Sequence, residues 1–177
     1  MIVKIVGIDP GIHNCGVALG EFNTDNNNLV IKEFFTIHAS ELAKKTNRKD
    51  SNFYGSIFSL FLLEKEFTTI FTNFQPDYVA SEDAFYNPRT PNAYASLKGC
   101  ILSIKRVLYN FGLKLNLIAP KLAKMTVVKA TANKTDMMTA ITKLPDLVIE
   151  KDTSNIVEHE ADAIGIAYTL VKLLNKK

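Results

Sequence analysis

The sequence predicts an α/β fold in which a mixed five-stranded sheet, in the strand order 3-2-1-4-5, is flanked by helices. Three observations lead to this prediction. Three segments rich in β-branched residues open the chain, two long segments with helical periodicity are each followed by a short apolar segment, and a further helical segment ends the chain. The proposed strand order keeps the connections short and the crossovers right-handed.

The first three strands are expected at Ile2–Asp9, Cys15–Glu21 and Leu29–Ile37. A Pro-Gly turn separates the first two, and the polar segment 23–28 separates the second from the third. Strands joined by such short connections form an antiparallel meander. The polar residues 38–52 are expected to form a loop or a short helix.

Apolar residues spaced three and four apart predict a helix over Phe53–Phe74, which Pro76 ends. Asp77–Glu82 is then expected to be a buried strand parallel to the first, because it follows a crossover helix. Thr90-Pro91 is typical of an N-cap followed by proline in the first turn, and predicts a helix to about residue 111. The remaining expected elements are a fifth strand at Lys114–Ala119, a helical and loop region from Pro120, and a last helix over Ile156–Leu174.

The length of 177 residues predicts one domain spanning residues 1–177. A composition of 47% hydrophobic and 22% charged residues is typical of a globular protein. No apolar run reaches the roughly 18 residues that cross a bilayer, and no signal peptide is recognisable, so a cytoplasmic location is expected. Cys15 and Cys100 lack metal-ligand spacing and lie in apolar segments. They are therefore expected to be core residues in a reducing compartment.

Positive charge is concentrated in one segment. Residues 114–143 hold six lysines and one acid, Asp136, which gives that segment a net charge of +5 and leaves −2 for the rest of the chain. Such a stripe favours contact with phosphates, although a solvated helix face remains an alternative.

Two acids are expected at the ends of neighbouring strands. Asp9 ends the first strand in Gly7-Ile8-Asp9-Pro10-Gly11, where Gly7 and Gly11 leave space around the carboxylate, although Asp-Pro-Gly is also a common turn. Glu82 ends the apolar strand Tyr78–Glu82, where a buried charge needs a partner. If these strands are neighbours, the two carboxylates repel unless a cation bridges them, which predicts a site for Mg²⁺ or Mn²⁺.

The last helix supplies further acids in Glu158-His159-Glu160-Ala161-Asp162. Positions 158, 159 and 162 share one helix face, and apolar or small residues surround Asp162. An exposed acid in the first helical turn is the alternative interpretation. Together with Asp9 and Glu82, these residues could hold two metal ions about 4 Å apart, the arrangement that hydrolyses phosphodiesters.

In four stretches the sequence resembles the RuvC family of Holliday-junction resolvases, within the RNase H-like nucleases. The stretches follow the family's order and nearly its spacing: Gly7–Gly11 with Gly16-Val17, Glu82–Phe85 with Leu97-Lys98-Gly99, Ala119-Pro120-Lys121 through Thr126–Val128 to Lys134, and His159–Ile164. The resemblance implies an RNase H-like fold and a dimeric, metal-dependent endonuclease that acts on branched DNA. The polar loop 23–28 and the loop 87–91 differ from typical bacterial members and suggest a phage-encoded variant.

The resemblance also implies roles for individual residues. Asp9, Glu82, His159 and Asp162 would form the catalytic, metal-binding set, holding two Mg²⁺ or Mn²⁺ ions. Many family members have aspartate at the position of His159, so Glu158 is an alternative ligand. Lys124 and Lys134 would contact the scissile region, with Lys134 counted among the catalytic residues.

An aromatic residue beside the site is expected to contact the junction. By resemblance Phe85 would insert there, and the Phe85-Tyr86 pair can replace lost base stacking at about 1 to 3 kcal/mol per base. Burial of Phe85 under the loop is the alternative. The full set expected to contact DNA is Phe85, Tyr86, Arg89, Lys98, Lys121, Lys124, Lys129 and Lys134.

The helix after Thr90 is expected to mediate a homodimer. Tyr94, Leu97, Ile101, Ile104, Leu108 and Phe111 form one apolar seam, and Ala93, Cys100 and Val107 form a narrower one. One seam can serve the core and the other a two-fold partner.

Three other functions compete with a junction-cutting nuclease. An RNA-processing nuclease of the same fold remains open, a branched-DNA binder that does not cut is disfavoured by the retained acids, and an actin-like ATPase would need two such domains.

Overall fold

A computed structural model describes residues 1–45 and 51–175, and within these the side chains of residues 51–56 and of Lys134 lie outside the description. Strands and helices alternate after an opening meander. In chain order the elements are β1 (Ile2–Asp9), β2 (Asn14–Asn23), β3 (Asn28–His38), α1 (Ala39–Lys45), α2 (Ser51–Phe74), β4 (Tyr78–Glu82), α3 (Pro91–Asn110), β5 (Leu115–Ile118), α4 (Pro120–Val127), α5 (Lys134–Ile141), β6 (Leu147–Ile149) and α6 (Glu158–Leu174).

The strands form one mixed sheet in the order β5-β4-β1-β2-β3-β6. β1, β2 and β3 pair antiparallel, whereas β4 runs parallel to β1 and β5 parallel to β4. The predicted order of the first five strands is therefore confirmed. The predicted total of five is wrong, because Leu147–Ile149 adds a sixth strand parallel to β3.

The helix boundaries agree with the sequence pattern to within a few residues. α2 ends at Phe74, where Gln75 has a left-handed φ of 53° and Pro76 prevents continuation. Thr90 occupies the N-cap position of α3 and Pro91 its first turn, as predicted, but the Thr90 side chain makes no capping hydrogen bond. Residues 39–45 within the polar stretch 38–52 form the short helix α1, while residues 46–50 lie outside the described residues.

Each face of the sheet is covered by a separate hydrophobic core. Val3 and Ile5 point towards the core beneath α4, α5 and α6, whereas Val6 and Ile8 point towards the core beneath α2 and α3. Because side chains alternate along a strand, Gly7 and Asp9 face α6. Ala80 belongs to the α6-side core and Val79 to the other, so Glu82 also faces α6.

Both predicted seams of α3 contribute to the chain's own core. The expectation that one of the two seams stays free for a dimer partner is therefore wrong. Cys100 and Val107, from the narrower seam, are buried together with Ile101, Ile104 and Leu108 from the wider one. The helix packs against both the sheet and α2, and therefore buries more than one stripe. Its exposed large apolar residues are Leu102 and Tyr109, which are 60% and 83% exposed.

Cys15 and Cys100 are both free thiols buried in the core on the α2 side, as predicted. Within residues 1–45 and 51–175, no helix combines the length and the apolar character that a bilayer crossing requires.

Candidate metal centre and nucleic-acid interface

Asp9 and Glu82 end two adjacent parallel strands at the same edge of the sheet. In the ladder between β1 and β4, Ile8 lies opposite Ser81, so the next residue on each strand is one of the two acids. Burial raises the pKa of both carboxyls, and the neighbouring charge of Asp9 raises the pKa of Glu82 further. The predicted juxtaposition of the two strand ends is thus confirmed.

Helix α6 approaches this edge so closely that two glycines are needed beneath it. A Cβ atom on Gly16 would lie 1.9 Å from the carbonyl oxygen of His159, and one on Gly7 would lie 2.2 Å from that of Ala163. Both distances are far inside van der Waals contact. Gly7 therefore admits the helix backbone, rather than clearing space around the Asp9 carboxylate as the sequence suggested.

The first turn of α6 carries acidic residues with different roles. The Glu160 carboxylate accepts a hydrogen bond from the backbone N–H of Val157 at 3.2 Å, which stabilises the start of the helix. Glu158 lies 3.7 Å from Nε2 of His159. Asp162, one turn later, is partly buried on the face that points to the strand ends.

His159 is in direct contact with Asp9. Its Nδ1 lies 2.7 Å from Oδ2 of Asp9, although 150 residues separate the two in sequence. The exposed fraction of the side chain is 32% for His159 and 12% for Asp9, so the pair is accessible from the His159 side. The predicted residues on β1 and α6 therefore meet.

The carboxylates of this site form one electrostatic cluster. Burial raises the pKa of Glu82 to about 8, and the charges of Asp9 and Asp162 add to this rise. Burial likewise raises the pKa of Asp162 to about 6, with Asp9 adding to the effect. Buried carboxylates that destabilise each other's charged forms favour a bound cation or a proton.

The chemistry of the donor set fits a hard divalent cation. Asp9, Glu82 and Asp162 supply carboxylate oxygens, and His159 supplies an imidazole nitrogen, a combination suited to Mg²⁺ or Mn²⁺. Among the described residues, no three His, Cys, Asp or Glu side chains are already grouped as ligands of one ion. The Asp9 carboxylate is instead in direct contact with the His159 ring.

The basic segment places one lysine against the acidic cluster. The charge of Lys124, on α4, opposes the rise in pKa of both Glu82 and Asp162. Lys121, one turn earlier on the same helix, and Lys129, which follows the helix, are both exposed to solvent. Lys134 is the first residue of α5, and its side chain lies outside the described residues.

The loop after Glu82 carries two exposed aromatic side chains, of which Phe85 is the more exposed. Phe85 is 73% exposed, which rules out the alternative that it is a core residue. Tyr86 is 55% exposed, and its ring packs edge-on against that of Tyr94 with 5.4 Å between centroids. Arg89 is exposed, and its backbone N–H donates to the Asn87 side chain at 3.0 Å.

Lys98 makes contacts within the protein that were not predicted. Its Nζ lies 3.2 Å from Oδ1 of Asp83 and 5.6 Å from the ring centroid of Tyr94. Asp83 was not among the predicted site residues, and Tyr94 was predicted to lie in an apolar seam of α3. Two adjacent acids, Glu82 and Asp83, end this strand in the sequence. That pattern could have indicated that Asp83 forms an ion pair with a basic residue nearby.

Comparison with known proteins places these features in one family. The chain matches the family described as Crossover junction endodeoxyribonuclease RuvC over residues 5–170. It is 32% identical over 171 residues to the family member from Campylobacter jejuni, covering 96% of this chain and 94% of the relative. It is 30% identical over 169 residues to the member from Campylobacter lari, covering 94% of each.

Solved structures share the fold at lower sequence identity. The RuvC protein of Thermus thermophilus, in complex with a Holliday junction substrate, superposes with a TM-score of 0.72 at 15% identity, covering 94% of this chain and 92% of the other. The yeast mitochondrial Holliday junction resolvase superposes with a TM-score of 0.70 at 16% identity, covering 98% and 80%. At these identities, the structural likeness establishes the shared RNase H-like fold.

Proposed function

The chain belongs to the RuvC family of crossover junction endodeoxyribonucleases, and from this premise we propose that it is a metal-dependent, structure-selective endonuclease that resolves four-way DNA junctions by paired cuts. The observation that carries the proposal is the convergence of Asp9, Glu82, His159 and Asp162 at one edge of the sheet. We propose that one nuclease domain performs this reaction in the cytoplasm, in a bacterium or in the host of a phage.

The ligand set we propose is Asp9, Glu82, His159 and Asp162, with two Mg²⁺ or Mn²⁺ ions bound. Such ions, when bound, supply an activated water and stabilise the leaving oxygen of the phosphodiester. The protein holds the ligands in fixed positions. The paired strands β1 and β4 hold the Asp9 and Glu82 carboxylates, and α6, packed closely on the sheet, holds His159 and Asp162. The contact of His159 with Asp9 favours His159 over Glu158 as the fourth ligand.

Lys124 is the residue we propose for holding the scissile phosphate. Its ammonium lies on the side of the carboxylate cluster where it interacts with both Glu82 and Asp162. With divalent ions bound to the carboxylates, a phosphate between those ions and Lys124 would have its negative charge stabilised from both sides. Lys134 is proposed as a second catalytic lysine on the resemblance alone.

The surface around the cluster would hold the arms of the junction. The exposed ring of Phe85 is proposed to stack against bases at the branch point, where pairing is interrupted. The proposed phosphate contacts are three basic side chains that are exposed to solvent: Arg89, Lys121 and Lys129. Tyr86 and Lys98 were expected to join this set, but Tyr86 packs against Tyr94 of α3, and Lys98 of α3 forms an ion pair with Asp83 in the loop.

A homodimer is proposed because paired cuts in a four-way junction need two active sites related by symmetry. The exposed apolar residues Leu102 and Tyr109 of α3 lie beside Phe61 of α2, which is 60% exposed, along one open groove. Apolar side chains that line a continuous groove are candidates for burial against a second copy. This face, rather than either seam predicted from the sequence, is the proposed interface.

A panel of labelled nucleic acids tests the proposed function. The protein would be incubated with Mg²⁺ or Mn²⁺ and a four-way junction, a flap, a fork, a linear DNA duplex or an RNA–DNA hybrid. We expect cutting of the four-way junction at symmetric positions in opposing strands and little cutting of the linear duplex. Preferential cutting of the hybrid would instead support an RNA-processing nuclease, and binding without cutting would support a branched-DNA binder.

A further inference from the structure

The segment that presents Phe85 is tied to α3 at both ends. Asp83 is the residue directly after Glu82, and its backbone N–H donates to the carbonyl of Ile118 at 2.8 Å, which extends the pairing of β4 with β5. Its Oδ1 accepts the N–H of Ala84 at 2.8 Å and lies 3.2 Å from Nζ of Lys98. The start of the segment is therefore fixed by a backbone pair and an ion pair.

The other end of the segment is held by an aromatic contact. Tyr86 packs against Tyr94 at an interplanar angle of 89°, an edge-to-face geometry favoured by the charge distribution of aromatic rings. Tyr94 and Lys98 are four residues apart on α3 and so lie on the same face of the helix. The Lys98 ammonium lies over the Tyr94 ring, which links the ion pair to the aromatic pair.

We infer that Asp83, Lys98, Tyr94 and Tyr86 form a brace that holds Phe85 in a fixed, outward position, and that Tyr86 and Lys98 act on junction DNA through this brace rather than by direct contact. These are positioning residues, and the inference rests on the proposed function. Phe85 lies between the two anchored points, and at 73% exposure it is the residue of this segment left free for a base to stack on.

A fixed aromatic ring has a physical advantage at a branch point. A side chain that is already ordered loses less conformational entropy when a base stacks on it, so more of the stacking energy is retained. The anchor at Asp83 also adjoins Glu82, and Phe85 follows Glu82 by three residues, so the short backbone between them limits how far the stacked base can lie from the metal ligands. The brace would thus fix where the branch point lies relative to the carboxylate cluster.

A single tryptophan tests the brace without DNA. The chain contains no tryptophan, so Phe85→Trp introduces a unique fluorescent reporter at the position in question. Its anisotropy decay would be measured alone and combined with Tyr94→Leu, Tyr94→Phe, Lys98→Met or Lys98→Arg. We expect Tyr94→Leu and Lys98→Met to increase the fast local motion of the tryptophan. Tyr94→Phe and Lys98→Arg should leave that motion unchanged, because the first keeps the aromatic ring and the second keeps the charge.

A matched control lies just after the same helix. Lys114 is exposed and follows α3, so Lys114→Met removes a lysine outside both the brace and the groove proposed for the dimer. It should leave the tryptophan motion unchanged. Equal motion in Tyr94→Leu, Lys98→Met and the control would overturn the inference, and circular dichroism checks that each variant is folded.

Measurements of cleavage and of DNA binding distinguish a positioning role of the brace residues from direct contact with DNA. In the protein that retains Phe85, Tyr94→Leu and Lys98→Met should each lower kcat on a four-way junction by about 3- to 10-fold. Neither substitution should change the affinity for Mn²⁺ or the salt dependence of binding to linear duplex. A salt slope reduced by about 0.9 in Lys98→Met would instead identify a direct phosphate contact and overturn the inference. Failure of the unaltered protein to cut any branched DNA would refute the proposed function, whereas the anisotropy measurement decides on the brace.

Discussion

The backbone of Gly16 on β2 lies against the backbone of His159 in the first turn of α6, so closely that a methyl group would fall 1.9 Å from the His159 carbonyl oxygen. Gly16 is also the residue paired with Asp9 across the β1–β2 ladder. One glycine therefore sets the separation between the strand that carries Asp9 and the helix that carries His159. The 2.7 Å contact between those two side chains depends on that separation.

Gly16→Ala is expected to disrupt the site more than the fold. The added methyl group must push α6 away from β2, because the atoms it meets are backbone, and such overpacking typically costs about 1 to 3 kcal/mol of stability. Since a small displacement of ligands has a large effect on catalysis, we expect cleavage to fall by about 100-fold or more. Thermal melts measure the loss of stability, and junction cleavage together with Mn²⁺ binding by calorimetry measures the effect on the site.

Gly99→Ala is the matched control, because a Cβ there meets only the Leu60 side chain, at 3.4 Å. It should bind Mn²⁺ and cut junctions as the unaltered protein does. Normal Mn²⁺ binding by Gly16→Ala would show that α6 tolerates the displacement.

Removing any one carboxylate of the cluster should abolish cutting and spare DNA binding. Asp9→Asn, Glu82→Gln and Asp162→Asn each retain the side-chain shape but lose a charged ligand, and cleavage should fall by about 1000-fold or more. Junction affinity in a gel-shift assay without divalent ions should be equal to or higher than that of the unaltered protein, because negative charge near the phosphates is lost. Substantial cutting by any of the three would remove that residue from the ligand set.

The raised pKa of Glu82 predicts a dependence of stability on pH in the absence of divalent ions. The folded value of about 8 exceeds the ordinary value of 4.5, so the folded state binds this proton more tightly than the unfolded state does. The resulting stability is fully present below about pH 4.5 and is lost as the pH rises towards about 8. Asp162, with its pKa raised to about 6, adds a loss of the same sign over a lower window.

Glu82→Gln should remove most of this dependence. At pH 8 without metal, the variant is expected to be more stable by about 2 kcal/mol, after allowance for solvent around a partly exposed group, which is roughly 4 to 8 °C in Tm. At pH 5 the advantage should be small, and Mg²⁺ should reduce it at pH 8. Glu41→Gln, an exposed acid on α1, is the control in the same thermal melts. A constant Tm difference across this pH range would contradict the assignment.

The parts of the fold that the sequence predicted follow from local patterns and short connections. The Ile2–Asp9 strand matches the structure residue for residue, and its parallel pairing with β4 follows from a crossover helix. β6 was missed because Leu147–Ile149 is only three residues long and is defined by its pairing with β3. The outward face of α3 was mispredicted because two stripes of that helix are buried against the sheet and α2.

The candidate site was predictable where strand ends and a helix face determine it. Asp9, Glu82, His159 and Asp162 were placed together from strand order, helical spacing and a family resemblance. The brace was not predictable, because the partners Asp83 and Lys98 are 15 residues apart and their contact depends on the path of the intervening loop. The function of Gly16 was hidden for a similar reason, since the spacing between sheet and helix is a tertiary property.

The proposed dimer interface predicts that a charge at Leu102 separates the subunits. Leu102→Glu places a carboxylate in the exposed apolar face formed with Phe61 and Tyr109, and burying it against a second copy would be unfavourable. Sedimentation velocity at micromolar concentration should show a dimer for the unaltered protein and a monomer for the variant. Val148→Glu, at a 47% exposed apolar residue on β6, should remain dimeric. An unaltered protein that sediments as a monomer and binds a junction as one copy would refute the dimer.

The identity of the fourth ligand can be decided by two substitutions in adjacent residues. His159 Nδ1 contacts Asp9 directly at 2.7 Å, and Glu158 lies 3.7 Å from the other ring nitrogen. The direct contact with a strand-end carboxylate is the reason for proposing His159 as the ligand. An imidazole in place of a carboxylate removes one negative charge from the site and favours Mn²⁺ over Mg²⁺. We therefore expect faster junction cleavage with Mn²⁺ than with Mg²⁺.

His159→Asp should preserve cutting and shift the preference towards Mg²⁺, because it restores a hard oxygen ligand at the same position. His159→Ala should cut at least about 100-fold more slowly in both metals, since it leaves one coordination position without a protein ligand. Glu158→Gln should retain most activity, because the proposed ligand set does not include it. The rates of all three would be measured on one four-way junction over a range of concentrations of each metal. If His159→Ala cuts normally while Glu158→Gln is inactive, Glu158 is the fourth ligand, and the contact between His159 and Asp9 has a structural role only.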